Sequence, residues 1–331
     1  MDAARGAHGV NGIVVVDKEA GWTSHDVVAR CRQIFGQRRV GHGGTLDPDA
    51  TGVLVVALGS ATRLLRFMAS LHKVYRAEIV LGSTTSTLDR SGVTIEHWDM
   101  SGITLADVRK AAARFVGEID QVPPMVSALK VGGQPLHRLA RQGLEVPRAP
   151  RRVVVYRFEI LGHAGECGVF EAEIECSSGT YVRALADDLG RALGGGAHLG
   201  WLRRTAVGRF GEAQAWRLGA LAEAVARLDA GQERSSLDGV QPSDGLRSAR
   251  GAGPSSSPEA LVLPPLDAVA HLPQLPVEPG LRARIAHGAL LDRAAVRADG
   301  AGPWALVADG RLVAVYEAAA ENRLRPAVVL A

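Results

Sequence analysis

The residues best suited to chemistry lie in one loop, Gly41-His-Gly-Gly-Thr-Leu-Asp47-Pro-Asp-Ala-Thr-Gly52. Four glycines in twelve residues let the backbone turn tightly and approach another molecule closely. A GxGxxG fingerprint would need glycine at position 46, which is Leu46, and no GK[ST] occurs in the chain, so both nucleotide-phosphate motifs fail. What remains is a carboxylate, Asp47, ahead of Pro48, whose ring pushes Asp47 towards extended backbone. Alone, an Asp-Pro pair reads as an Asx turn that bonds nearby amides. Its flanking residues change that reading, as shown below.

The elements that must hold this loop follow from periodicity. Residues 13–16 read as a β-branched strand, and Ser24 is expected to cap a helical run over 26–35 closed by Gly36. Directly after the loop, residues 53–58 read as a buried strand, and Ser60 begins a helical stretch to about residue 71. Residues 75–81 form a strand, and Thr104 with Asp107 opens a helix to about 116. Apolar residues alternate with Glu171, Glu173 and Glu175 over 170–176, a half-exposed strand whose glutamates form a solvated face rather than a metal site. Residues 180–193 read as helix and 201–210 as strand. Without a regular βαβ rhythm, this order argues for an α+β fold. Near the C-terminus, Asp309-Gly310 between alternating apolar runs is a two-residue hairpin turn in a small β-rich domain.

Composition bounds the rest. Of 331 residues 47% are apolar and 5% aromatic, which excludes whole-chain disorder, collagen and coiled coil. Cys31, Cys167 and Cys176 show no CxxC spacing, so no disulfide framework or zinc site is expected. The start lacks a basic segment followed by an apolar stretch, and the longest apolar run is the six residues 53–58; a cytoplasmic protein, neither exported nor membrane-embedded, is expected. Residues 231–258 hold 15 Gly, Ser and Pro and read as a flexible linker. The chain therefore divides into 1–230, a connector over 231–260, and a small domain over 261–331. Its net charge of +3 is too small by itself to demonstrate a polyanionic partner.

The loop resembles, residue for residue, the GHxGTLDPxATGVL segment of the bacterial tRNA pseudouridine synthase B (TruB) family. Other segments follow in the family's order. Asp17-Lys18 with Gly21, Thr23 and Ser24 is similar to its DKPxGxTS element, with Glu19 where proline is usual. Lys73-Val-Tyr75 through Asp89 and Gly92, and Gln121-Val-Pro-Pro124 through Lys130 and Gly133, resemble two further motifs; His137 replaces a usual tyrosine. Gly179-Thr-Tyr181-Val-Arg183, Asp187-Asp188 and Leu202-Arg203-Arg204 resemble a third catalytic segment. The likeness is continuous over about 12–210, and Asp309 to Tyr316 with Arg325-Pro326 resembles a small PUA-like domain.

That resemblance implies a pseudouridine synthase fold with a mixed or antiparallel sheet and flanking helices. It implies isomerisation of a T-loop uridine of tRNA, position 55, to pseudouridine. No atoms are gained or lost, so no cofactor or metal is expected. Asp47 is the implied catalytic carboxylate, with Arg183 beside it lowering its pKa, and Tyr75 stacks on the flipped base. His42, Tyr181 and Leu202 complete the implied pocket, and Lys18 and Lys130 are expected either as phosphate contacts or as snorkelling surface side chains. The expected partner is the tRNA T stem-loop, bound by a monomer without a required protein partner. A tRNA-folding role beside or instead of catalysis is one alternative; a glycosidase using Asp49 as a second carboxylate is another. Residues 130–157 carry a local excess of +6, the best electrostatic footprint for RNA.

Overall fold

The computed structural model describes residues 9–127, 129–235 and 257–330. The larger sheet runs in the order Gly12–Lys18, Thr51–Leu58, Ala197–Val207, Lys73–Leu81, Val169–Cys176, Arg151–His163, Gly117–Gln121. The neighbours pair antiparallel except Thr51–Leu58 with Ala197–Val207, which is parallel and limited to Thr51 with Arg203 and Gly52 with Arg204. Further along Thr51–Leu58, Val40–His42 pairs instead, through Val56, Ala57 and Leu58. Ala197–Val207 and Thr51–Leu58 thus part beyond Gly52, and residues 43–50 bridge the two pairings. Gly52 suits this parting: its φ is +99°, and a Cβ there would stand 2.2 Å from the Arg204 carbonyl oxygen.

At the end of the sheet formed by Gly12–Lys18 and Thr51–Leu58 both faces are covered, which is why these two strands are near-continuous apolar runs, whereas Lys73–Leu81 and Val169–Cys176 alternate. Val14, Val16, Leu54 and Val56 pack with helices Ser24–Ile34, Leu105–Ala113 and Val182–Ala192. Ile13, Val15, Val53 and Val55 pack on the other side with Leu64, Phe67 and residues of the C-terminal part, including Ala268, Val269 and Val315. That part forms a second sheet, Gln274–Pro276, Trp304–Ala308, Arg311–Ala318, Arg323–Val329, Leu291–Asp292. Its expected hairpin is present, with Asp309 and Gly310 at φ +50° and +70°.

Several expectations change. Thr23, not Ser24, caps the first helix, because Thr23 and Asp26 satisfy each other's backbone amides in a capping box; this leaves the Ser24 hydroxyl for the loop. The stretch after Ser60 is a 3₁₀ turn, Gly59–Leu64, with only Leu65–Met68 helical. Strands Gly117–Gln121 and Arg151–His163 had no clean alternation to reveal them. Helix Leu218–Ser235 continues past residue 230, and Leu263 exchanges backbone hydrogen bonds with Ile13 on the larger sheet. Residues 236–256 of the expected linker lie outside the described residues. No helix among the described residues is long and apolar enough to cross a membrane.

Candidate active site

Three side chains pin the loop that carries Asp47. The Ser24 hydroxyl accepts from the Leu46 amide at 2.9 Å and donates to the Leu46 carbonyl at 3.3 Å. Lys18, fully buried, donates from Nζ to the carbonyls of Glu19 at 3.0 Å, Trp22 at 2.7 Å and Pro48 at 2.8 Å. Arg204, also buried, donates to the carbonyls of Val53 at 2.7 Å, Gly44 at 3.2 Å and Thr45 at 3.3 Å. Leu46 and Ala50 sink into the core on either side. Asp47 is therefore the side chain of an anchored loop that remains open to a cavity.

Lys18 is a correction to the sequence reading. An enclosed ammonium with three N–H groups on three carbonyls has none left for an external phosphate, and burial presses its pKa down to about 8. It holds the carbonyl that follows Asp47. The Lys130 side chain lies outside the described residues.

Asp47, Arg183, Tyr75, His42, Tyr181 and Leu202 all line one cavity of about 380 Å³. Arg183 is 4% exposed, and its Nε lies 2.9 Å from Asp47 Oδ2. Its Nη1 donates to Thr87 O at 2.9 Å and its Nη2 to Val126 O at 2.8 Å, so the guanidinium is fixed from behind. A second carboxylate, Asp89, stands 3.7 Å from Nη1 and is itself held by the hydroxyls of Thr87 and Ser91. Burial raises the Asp47 pKa, Arg183 opposes that and Asp89 adds to it; the outcome is a pKa above the ordinary aspartate range. The sequence expectation of a lowered value is thus reversed, because the pocket wall removes more hydration than one arginine, shared with Asp89, restores.

Tyr75 stands opposite Arg204 across the strand pair, buried and hydrogen-bonded to it, with its phenol pKa raised by burial. Tyr181 precedes helix Val182–Ala192; its amide donates to the buried Gln121 side chain at 2.8 Å, which donates back to its carbonyl at 3.1 Å. Burial lowers the His42 pKa, favouring a neutral imidazole, and its ring meets His25 edge-on at 5.4 Å. Asp89, Gln121 and Arg204 all stand within motifs quoted above, yet no spacing rule assigns them a task; motif membership was the only signal.

The +6 run over residues 130–157 is the second correction. Arg152 lies 3.5 Å from Glu118 and 3.9 Å from Asp120, Arg157 lies 2.7 Å from Glu173 and 3.8 Å from Glu175, and Arg148 pairs with Glu145 at 3.4 Å. Strand pairing brings carboxylates distant in sequence alongside Arg152 and Arg157, so the local excess is smaller in space than in sequence. Arg151 has no ion pair among the described residues.

The mixed sheet with helices over one face, which carries this cavity, has the fold of the pseudouridine synthases. Solved structures of that class agree in fold. The chain superposes on an archaeal box H/ACA ribonucleoprotein Nop10–Cbf5 complex with a TM-score of 0.69 at 26% identity, over 97% of this chain and 86% of that one. A structure of an H/ACA ribonucleoprotein bound to a substrate RNA containing 2′-deoxyuridine gives 0.67 at 25% identity, over 96% and 83%. The family model for the N-terminal domain of TruB pseudouridylate synthases matches residues 32–182, and that for the tRNA pseudouridylate synthase B C-terminal domain matches 183–246. The tRNA pseudouridine synthase B of Mycobacterium sp. (strain KMS) is 55% identical over 214 residues, 64% of this chain and 72% of that protein. That of Mycobacterium avium is 53% identical over 214 residues, 64% of this chain and 69% of that one. The chain belongs to the TruB family of pseudouridylate synthases.

Proposed function

We propose that the uridine isomerised by this enzyme lies in the T loop of tRNA, at position 55, and that Asp47 is the reacting carboxylate. The coarser activity, conversion of tRNA uridine to pseudouridine, follows from family membership. The observation that carries the role of Asp47 is the Asp47–Arg183 pair in a cavity large enough for a nucleoside, and the T-loop target rests on the motif resemblance to the TruB family.

In this reading the target base leaves its stack at a cost of a few kcal/mol, offset by stacking on Tyr75 and packing against Leu202 and Tyr181. Neutral His42 fills space beside it without placing a positive charge next to Asp47. The N1–C1′ bond breaks, the uracil turns, and a C5–C1′ bond forms. Asp47 acts ionised, stabilised by Arg183, while its raised pKa leaves it more basic than a free aspartate and so a stronger nucleophile or base at neutral pH. Reactant and product have the same atoms and electrons, so the net reaction consumes no oxidant, reductant or group donor. The enzyme acts as a cytoplasmic monomer without a protein partner, its catalytic domain extending through helix Leu218–Ser235 and its small C-terminal module built on the second sheet, Gln274–Pro276 to Arg323–Val329.

The test is to incubate the protein with an unmodified tRNA transcript and map pseudouridine at single-nucleotide resolution. Product confined to one T-loop uridine is expected; product elsewhere refutes the assigned target.

A further inference from the structure

The cavity wall holds a second cationic group that the Asp47–Arg183 pair does not account for. Lys73, 6% exposed, stands two residues before Tyr75 on the central strand and lines the cavity. Its Nζ donates to the carbonyls of Ala69 at 3.0 Å and Leu71 at 2.5 Å, leaving one N–H without a partner among the described residues. Arg204 lines the same wall, its guanidinium spent on backbone carbonyls and Tyr75. Among the described residues neither cation has an ion pair, whereas Arg183 faces two carboxylates. Burying an ammonium without a counter-charge is costly. A wall that keeps two such groups is built to meet negative charge.

The reaction supplies that charge. If the N1–C1′ bond breaks heterolytically, its electron pair stays on the uracil ring, spread over N1, O2 and O4. If Asp47 instead adds to the ring, the pair moves onto O4. C5 later gives a pair to C1′ and loses its proton, N1 gains one, and the ring is neutral again. We infer that Lys73, backed by Arg204, supplies the positive wall that stabilises the negative charge on the uracil ring while its bond to C1′ is broken. This rests on the uridine reading of the cavity given above.

Burial and the nearby Arg204 press the Lys73 pKa down to about 8. The groups facing it are Arg204, the Cys176 thiol on the neighbouring strand, pushed up to about 11, and the Tyr75 phenol, also raised. None of the three changes charge near neutral pH, but Lys18 in the clamp of the Asp47 loop also titrates near 8, so the loss of the limb in Lys73→Arg is what assigns it to Lys73.

The experiment measures single-turnover pseudouridine formation on an unmodified tRNA transcript from about pH 6 to 9.5, with tRNA affinity measured alongside. Wild type, Lys73→Arg and Lys73→Met are compared. Wild-type rates should fall as pH rises through about 8. Lys73→Arg should retain activity and lose that limb, because a guanidinium stays charged throughout. Lys73→Met should be slower by on the order of 100-fold at neutral pH with affinity unchanged. A wild-type rate in Lys73→Met, or the same alkaline limb in Lys73→Arg, overturns the inference. The wild-type and Lys73→Arg profiles decide it even if Lys73→Met fails to fold. A wild type that forms no pseudouridine would instead fault the uridine reading of the cavity.

Discussion

The Arg183 Nε lies 2.9 Å from the Asp47 Oδ2, with the arginine enclosed by protein and the carboxylate open to the cavity. This contact opposes the burial and the Asp89 charge that raise the Asp47 pKa. Asp47 must be ionised to act, so the single-turnover rate falls as pH drops through a value above the ordinary aspartate range near 4. Arg183→Met removes the opposing charge and moves that acid limb to higher pH, besides slowing the reaction. A pH–rate profile of both proteins checks this; an unmoved limb would mean that Arg183 does not set the charge of Asp47.

Folding stability carries the same sign. A carboxylate with a pKa higher in the folded than in the unfolded state destabilises the fold progressively as pH rises through that interval, and the cost is complete above it. Asparagine matches the neutral form in shape. Asp47→Asn should therefore melt at a higher temperature than wild type at neutral pH, with the gain shrinking on acidification towards about pH 4. Calorimetry at several pH values measures it, and a lower melting temperature at neutral pH contradicts the raised pKa.

Lys18 is a clamp. Lys18→Met strands the carbonyls of Glu19 and Trp22, at up to about 1–3 kcal/mol for each group left unsatisfied, and leaves the Pro48 carbonyl held by the Gly21 amide alone. Stability should fall and the rate with it, since Pro48 follows Asp47, while the salt dependence of tRNA affinity stays as in wild type. A flattened salt dependence would return Lys18 to the role of phosphate contact.

The arginines of the 151–157 strand separate by partner. Arg152 is offset by Glu118 and Asp120, whereas Arg151 is exposed and close enough to Tyr181 to influence its pKa. Arg151→Ala should reduce the slope of log affinity against log salt by about 1, the share of one phosphate contact, and Arg152→Ala by less. Titrations over a range of salt compare the two; wild-type slopes in both variants would place neither on the RNA.

Much of the site was legible because the chemistry of the loop is local. Gly41 to Gly52 reads directly, and six of the named site residues meet in one cavity. The charge state of Asp47 was not legible, since it depends on Asp89 and on a pocket wall gathered from several strands. Lys18 looked like a surface cation because nothing local says that Trp22 and Pro48 close over it. The +6 run misled for the same reason: Glu118 and Glu173 reach it only through strand pairing. In the fold, the Thr104–Asp107 capping box and the Asp309-Gly310 turn were strong local signals, while Arg151–His163 did not read as a strand from its basic start.

The central claim is that Asp47 carries out the chemistry and is not needed to hold the RNA. Single-turnover assays of wild type and Asp47→Asn on an unmodified tRNA transcript, with binding measured on the same samples, test it directly. Wild type is expected to form pseudouridine and Asp47→Asn none, with equal tRNA affinity. Pseudouridine formed by Asp47→Asn at the wild-type rate would contradict it.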